Sequence, residues 1–155
     1  MTASEYLATD FDRPVPEFVK GEIVERGSGT FLHGHTIGRL GGLFGPLRVG
    51  AIVHVRTAVD TYRVFDVAVL EQDVTGIPDV PPLIDVEVLS TDERLADIVD
   101  RFSELRAWGV PHLWLVDPKH RCLYVFGRHG LREVDTWEIP EKNLRITRDD
   151  VFPPN

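Results

Sequence analysis

The chain has a single cysteine, Cys122, among its 155 residues. An internal disulfide is therefore excluded, and the fold must hold by packing and hydrogen bonding, as befits a reducing compartment. No apolar run approaches the roughly 20 residues that a membrane helix requires. The opening residues, MTASEYLATDFDRP, lack the charged-then-apolar layout of a signal peptide, so a cytoplasmic protein is expected. Basic residues are also scarce. There are 17 Lys and Arg against 25 Asp and Glu, for a net charge of -8, and no run of Lys or Arg exceeds two residues. General coating of nucleic acid through a basic face is thereby disfavoured, although a local groove served by a metal is not. Internal repeats, low-complexity segments and linkers are absent as well. What remains is a hydrophobic content of 43% and a mean hydropathy of -0.10. These describe an ordinary globular chain, read as one domain over 1–155 with residues 1–16 as an extension or short helix.

The most informative stretch is LIDVEVLSTDERLADIVDRFSELRAWGVPHLWLVD, residues 83–117. Its pattern predicts strand, helix, strand. Leu83–Leu89 alternates, so Asp85 and Glu87 share one face while Ile84, Val86 and Val88 share the other. Ser90 and Glu93 have capping-box spacing, and Leu95, Ile98, Val99, Phe102 and Leu105 form a helical apolar stripe. Gly109 and Pro111 end the helix before the strand His112–Val116. Two carboxylates in a strand that otherwise looks buried need compensation, because burying an ionised carboxylate costs several kcal/mol. A bound cation, a paired Arg or Lys, or an edge open to solvent would each serve.

In chain order, residues 1–10 suit a short helix, ended by Arg13-Pro14-Val15-Pro16. Phe18–Glu25 reads as a strand carrying Glu22, and Gly27-Ser28-Gly29 as a turn. His33–Leu47 has a helical stripe weakened by five glycines, each costing up to about 1 kcal/mol relative to alanine. No Gly-Lys-Ser/Thr follows them, which rejects a phosphate loop. Val49–Val59 and Tyr62–Leu70 predict two strands around a tight turn, with Asp66 alone inside the second. A loop over 71–82 follows. After the central unit come a strand at Cys122–Phe126, another at Leu131–Ile139, and a last strand near Leu144–Ile146 with a closing turn.

Three acids, Glu22, Asp66 and Glu87, thus stand in three strand-like segments, and Arg101 lies at the edge of the helix stripe. Carboxylates converging from neighbouring strands suit a hard cation such as Mg²⁺. Such an ion can polarise a phosphodiester and activate water.

Residues 83–118 resemble the Uma-two family of restriction-endonuclease-like proteins, within the PD-(D/E)XK nuclease superfamily. The resemblance rests on EVLS at Glu87–Ser90, Asp97 in the helix, AWGV at Ala107–Val110 and LWLVDP at Leu113–Pro118. Upstream, GEIVE at Gly21–Glu25, His33 with Gly38-Arg39-Leu40, and DVAV at Asp66–Val69 extend it to roughly residues 17–152. It implies an α/β restriction-endonuclease-like fold with a mixed central sheet flanked by helices. It further implies a Mg²⁺- or Mn²⁺-dependent nuclease acting on DNA, as a homodimer. Asp66 and Glu87 would be the metal acids, the Val88 carbonyl a further ligand, and Glu22 an accessory acid. Arg101 takes the place of the family's helix lysine. Phe65 replaces its proline, a cosmetic change. Arginine cannot act as a general base, though it can orient a water and offset charge on a phosphate.

Each feature also has a plainer explanation. Asp97 and Arg101 are spaced for a surface helix pair. Asp66 can be a strand-edge acid, and Asp85 a solvated or supporting one. His33-Gly34-His35 can bind a transition metal, but no further ligand stands at suitable spacing, so a core or helix-start role for His33 is favoured. Cys122 reads as a buried small hydrophobe, and Trp108, Trp114 and Trp137 as core or interface. Alternative functions are a non-catalytic nuclease fold kept as a binding or assembly module, and a metal-dependent hydrolase of some other phosphoester.

Overall fold

The computed structural model describes residues 1–27 and 29–155. The turn read at Gly27-Ser28-Gly29 includes Ser28, which lies outside the described residues. The chain begins with α1 (Ala3–Ala8), whose Thr2–Glu5 capping box satisfies the first turn. A short hairpin follows, β1 (Glu17–Val19) and β2 (Glu22–Val24), then α2 (Phe31–Gly41). The long arms β3 (Arg48–Ala58) and β4 (Thr61–Leu70) lead to β5 (Ile84–Val88), α3 (Leu95–Trp108) and β6 (His112–Asp117). The chain closes with β7 (Cys122–Gly127), β8 (Gly130–Val134), β9 (Thr136–Ile139), β10 (Leu144–Thr147) and α4 (Arg148–Val151).

Eight strands form one mixed sheet in the order β2-β1-β4-β5-β6-β7-β8, with β3 also on β4, while β9 and β10 make a separate pair. Only β5 and β6 run parallel, as their helical crossover requires; the other pairs are antiparallel. The alternation in β5 works as read. Ile84, Val86 and Val88 join Ile37 and Leu40 of α2 in one core, while Ile98, Phe102 and Leu105 of α3 pack with Ala68, Leu113 and Leu115 in another. Trp114 and Trp137 stack in the first core, ring centres 4.9 Å apart.

Four local readings need correction. Phe18–Glu25 is a hairpin, not one strand: Lys20 and Gly21 both take positive φ, 51° and 83°, which is the two-residue turn that matches strand twist. Helix α3 starts at Leu95, because Ser90 and Glu93 close a turn of their own, with the Ser90 N–H and hydroxyl both donating to Glu93 Oε1. Residues 131–139 break at Asp135 and pair in two different sheets. Cys122 is half-buried rather than a core residue.

The sheet opens beside β4. β3 pairs along nearly the whole of β4. The other edge of β4 is shared: β1 meets it at Tyr62, and β5 meets it from Val67 to Val69. Between those contacts the sheet splits.

Candidate active site

Side chains take over the backbone groups at the split. Glu17 Oε2 accepts from the Val64 N–H at 2.7 Å, and Arg101 Nη2 donates to the Val64 carbonyl at 2.8 Å. Across the gap, the Val88 N–H donates to Asp66 Oδ2 at 2.8 Å. The backbone therefore stays satisfied without a strand, and the space becomes a cleft of about 300 Å³. Its lining carries the carboxylates of Glu17, Glu25, Asp66, Glu87, Glu93 and Asp97 against the guanidinium groups of Arg26, Arg63 and Arg101.

Arg101 is the hub. Its Nε donates to Glu87 Oε1 at 2.8 Å, and its Nη1 reaches both oxygens of Glu17 at 3.1 and 2.8 Å. With Nη2 on Val64, all three of its nitrogens are engaged. Arg63 braces the same Glu17 at 3.3 Å while gripping Glu104 of α3 at 2.7 and 3.1 Å. At the rim, Arg26 Nη2 donates to Asp66 Oδ1 at 3.3 Å.

The acids divide by environment. Burial alone would raise Asp66, but hydrogen bonds from His33 and the Val88 N–H outweigh it and hold the carboxyl below the usual Asp range. Glu17 is likewise held low against its burial, by Arg101 and then Arg63. Glu87 goes the other way. Burial pushes it well above the usual Glu range, and Asp85 and Asp66 add to the rise, despite Arg101 beside it. Burial also pushes Asp85 up to about 7. Asp85 is fully buried between Ala68 and Leu113, and among the described residues neither of its oxygens has a hydrogen-bond partner. A solvated role for Asp85 is thus ruled out.

Asp66, Glu87, Val88 and Arg101 come together in this cluster; Glu22 does not. It is exposed on β2, beside the turn and opposite Val19. The acid that reaches the split is Glu17, on the strand before the turn. The Lys-Gly pair at 20–21 is the signal that would have divided the segment and put the acid one strand earlier. Glu17, Arg26 and Arg63 escaped the sequence reading because nothing local marks them; only strand pairing brings them here. Asp97 also lines the cleft but pairs with Arg94 at 3.4 Å, so the surface pair with Arg101 does not form.

The donors suit a hard divalent cation. Asp66 Oδ2 and the Val88 carbonyl oxygen converge on one point, occupied by His33 Nε2 at 3.5 and 3.0 Å respectively. The unpartnered Asp85 and the excess of carboxylates leave the cluster short of positive charge. Among the described residues, no three His, Cys, Asp or Glu side chains form a group that could hold a metal by themselves. Mg²⁺ commonly takes only one or two carboxylates and keeps several waters, which this set can satisfy.

A mixed sheet split beside two strand carboxylates, with helices on either face, is the restriction-endonuclease-like fold. The crystal structure of a putative nuclease belonging to DUF820 from Anabaena variabilis superposes with a TM-score of 0.81 at 18% identity, covering 98% of this chain and 97% of that one. The chain belongs to the Uma2 family, described as "putative restriction endonuclease", whose model matches residues 3–155. No functionally curated protein matches it. Among the described residues, no helix is long and apolar enough to cross a membrane.

Proposed function

We propose that this protein is a metal-dependent nuclease that hydrolyses nucleic-acid phosphodiesters, with DNA as the expected substrate. The observation that carries this reading is the convergence of Asp66 Oδ2 and the Val88 carbonyl on one point, with Glu87 alongside, at the split of β4 and β5. Asp66, Glu87 and the Val88 carbonyl would hold Mg²⁺ or Mn²⁺. A divalent cation bound there supplies positive charge to a phosphodiester and favours deprotonation of an attacking water.

The chain's own residues set the stage for that chemistry. Asp66 is held ionised by His33 and the Val88 N–H. Glu87, whose proton affinity is raised, is suited to holding a proton in the cleft when no cation is present. Arg101 is a positioning residue rather than a phosphate clamp, because its nitrogens already serve Glu87, Glu17 and Val64. Arg26, with a side chain 20% exposed at the rim and one 3.3 Å bond to Asp66, keeps donors for a phosphate.

The reading is tested by incubating duplex DNA, single-stranded DNA and RNA with the protein and Mg²⁺ or Mn²⁺. Cleavage should require the cation, stop with EDTA, and fall at least about 100-fold in Asp66→Asn and Glu87→Gln, the scale on which electrostatic stabilisation acts. Cleavage indifferent to EDTA or to both substitutions would overturn it, as would no cleavage of any substrate.

One observation favours a second reading, a nuclease fold kept as a binding or assembly module. Arg101 is fully engaged, and among the described residues no lysine lines the cleft. This reading predicts no cleavage by the wild type with either metal, with activity appearing only if Arg101→Lys restores a titratable amine. The family resemblance also leads us to propose a homodimer, and the single cysteine a cytoplasmic setting, which sedimentation analysis and localisation of the tagged protein would check.

A further inference from the structure

The sequence puts His33 at the start of a helix, and its backbone does play that part: Thr30 Oγ1 accepts from its N–H at 3.1 Å. Its ring does something else. It leaves α2 for the split in the sheet, where Nε2 lies 3.0 Å from the Val88 carbonyl oxygen and 3.5 Å from Asp66 Oδ2. The side chain is only 14% exposed, so the ring is held in place by its surroundings. His35, by contrast, stacks on Phe31, ring centres 5.5 Å apart, and takes no part. The pair spaced two apart is therefore not the metal motif.

The spacing around Nε2 is informative. Adjacent ligands on an octahedral cation, each bonded at about 2.1 Å, stand about 3 Å from one another. The imidazole nitrogen and the Val88 oxygen, which make a hydrogen bond here, already have that separation, and Asp66 Oδ2 is half an ångström beyond it. A ring that merely plugged the cleft would have to swing out before a cation could reach either oxygen. A ring that coordinates need only exchange the Nε2 proton of its hydrogen bond for the cation, presenting its nitrogen lone pair with the proton on Nδ1.

We propose that His33 is a metal ligand, its Nε2 coordinating the same cation as Asp66 and the Val88 carbonyl. This rests on the metal-dependent reading of the cleft. It adds a nitrogen donor to a set that would otherwise be all oxygen, and so shifts preference from Mg²⁺ toward Mn²⁺ and later first-row cations, which imidazole suits.

The test is pulsed electron paramagnetic resonance on Mn²⁺ bound to the full-length protein, alone and labelled with [¹⁵N]histidine. The expected result is a directly coordinated nitrogen whose coupling changes isotope with the label and vanishes in His33→Gln. Competition titrations should show His33→Gln losing about 10–100-fold in Mn²⁺ affinity, at least what losing an outer-shell partner costs, and less in Mg²⁺ affinity. Bound Mn²⁺ with no histidine nitrogen coupling in the wild type would overturn the assignment of His33 and leave the metal site standing. Absence of Mn²⁺ binding at millimolar concentration would overturn the metal reading itself, and this inference with it.

Discussion

A helical wheel puts Arg101 at the edge of the α3 stripe; it does not show that one guanidinium holds two buried acids and a strand carbonyl at once. Removing Arg101 takes from Glu87 and the Val64 carbonyl their buried guanidinium partner and leaves Glu17 with Arg63 alone. Arg101→Ala should therefore cost about 3–5 kcal/mol in urea unfolding. Arg101→Lys, a single ammonium that cannot reproduce the planar fork, should cost less but still lower the midpoint. A fall under about 1 kcal/mol for the alanine variant would show that the hub carries little. Asp85 gives a second prediction at this scale. Its carboxyl sits near 3.8 when unfolded and near 7 when folded, so between those values the folded state binds more protons. Stability from this group is thus present below pH 4 and lost as pH rises to about 7, on the order of 4 kcal/mol in all. Glu87, also raised, acts in the same direction. Glu17 and Asp66 are held low and contribute in the opposite sense, losing their contribution only below the ordinary carboxylate range. In EDTA, Asp85→Asn should flatten the pH profile of the melting temperature between pH 4.5 and 7.5 relative to wild type. Parallel profiles would contradict the burial argument.

At the scale of elements, the reading from sequence succeeded where periodicity is strong and failed where one turn decides. The strand–helix–strand of residues 83–117 was legible because Ile84, Val86 and Val88 of β5 and Ile98, Phe102 and Leu105 of the α3 stripe point inward, although Leu95 of that stripe is exposed. The capping-box spacing of Ser90 and Glu93 misled, because the box closes a turn and the helix begins at Leu95. The hairpin at Lys20-Gly21 was missed, and that single reversal moves the acid at the split from Glu22 to Glu17. Gly109 offers a test of how α3 is anchored. It ends the helix at φ 125°, and an added Cβ would meet Pro81 Cγ at 3.2 Å. Gly109→Ala combines a disfavoured backbone with that contact, so it should destabilise by about 1 kcal/mol or more, measured by thermal melts. An unchanged melting temperature would show that the end of α3 is free to shift.

For the whole molecule, the fold class could be read from element order and the resemblance, because one parallel crossover inside an antiparallel meander leaves few arrangements. The way β1 and β5 share an edge of β4 could not, since it depends on pairings between residues far apart in sequence. With a net charge of -8, the chain would need a cation at the split, as proposed, to approach a polyanion. Its cleft carries more carboxylates than guanidinium groups, so nucleic-acid affinity should be weak in EDTA and rise with a divalent cation, as fluorescence anisotropy would show. Affinity unaffected by the cation would place the binding surface elsewhere. The measurement that bears most directly on the account is calorimetric titration of Mg²⁺ and Mn²⁺ into the wild type and an Asp66→Ala/Glu87→Ala double variant that remains folded by circular dichroism. Saturable binding in the wild type that disappears in the double variant is the predicted result. Equal binding in both proteins, or none in the wild type at millimolar metal, would contradict a metal centre between β4 and β5.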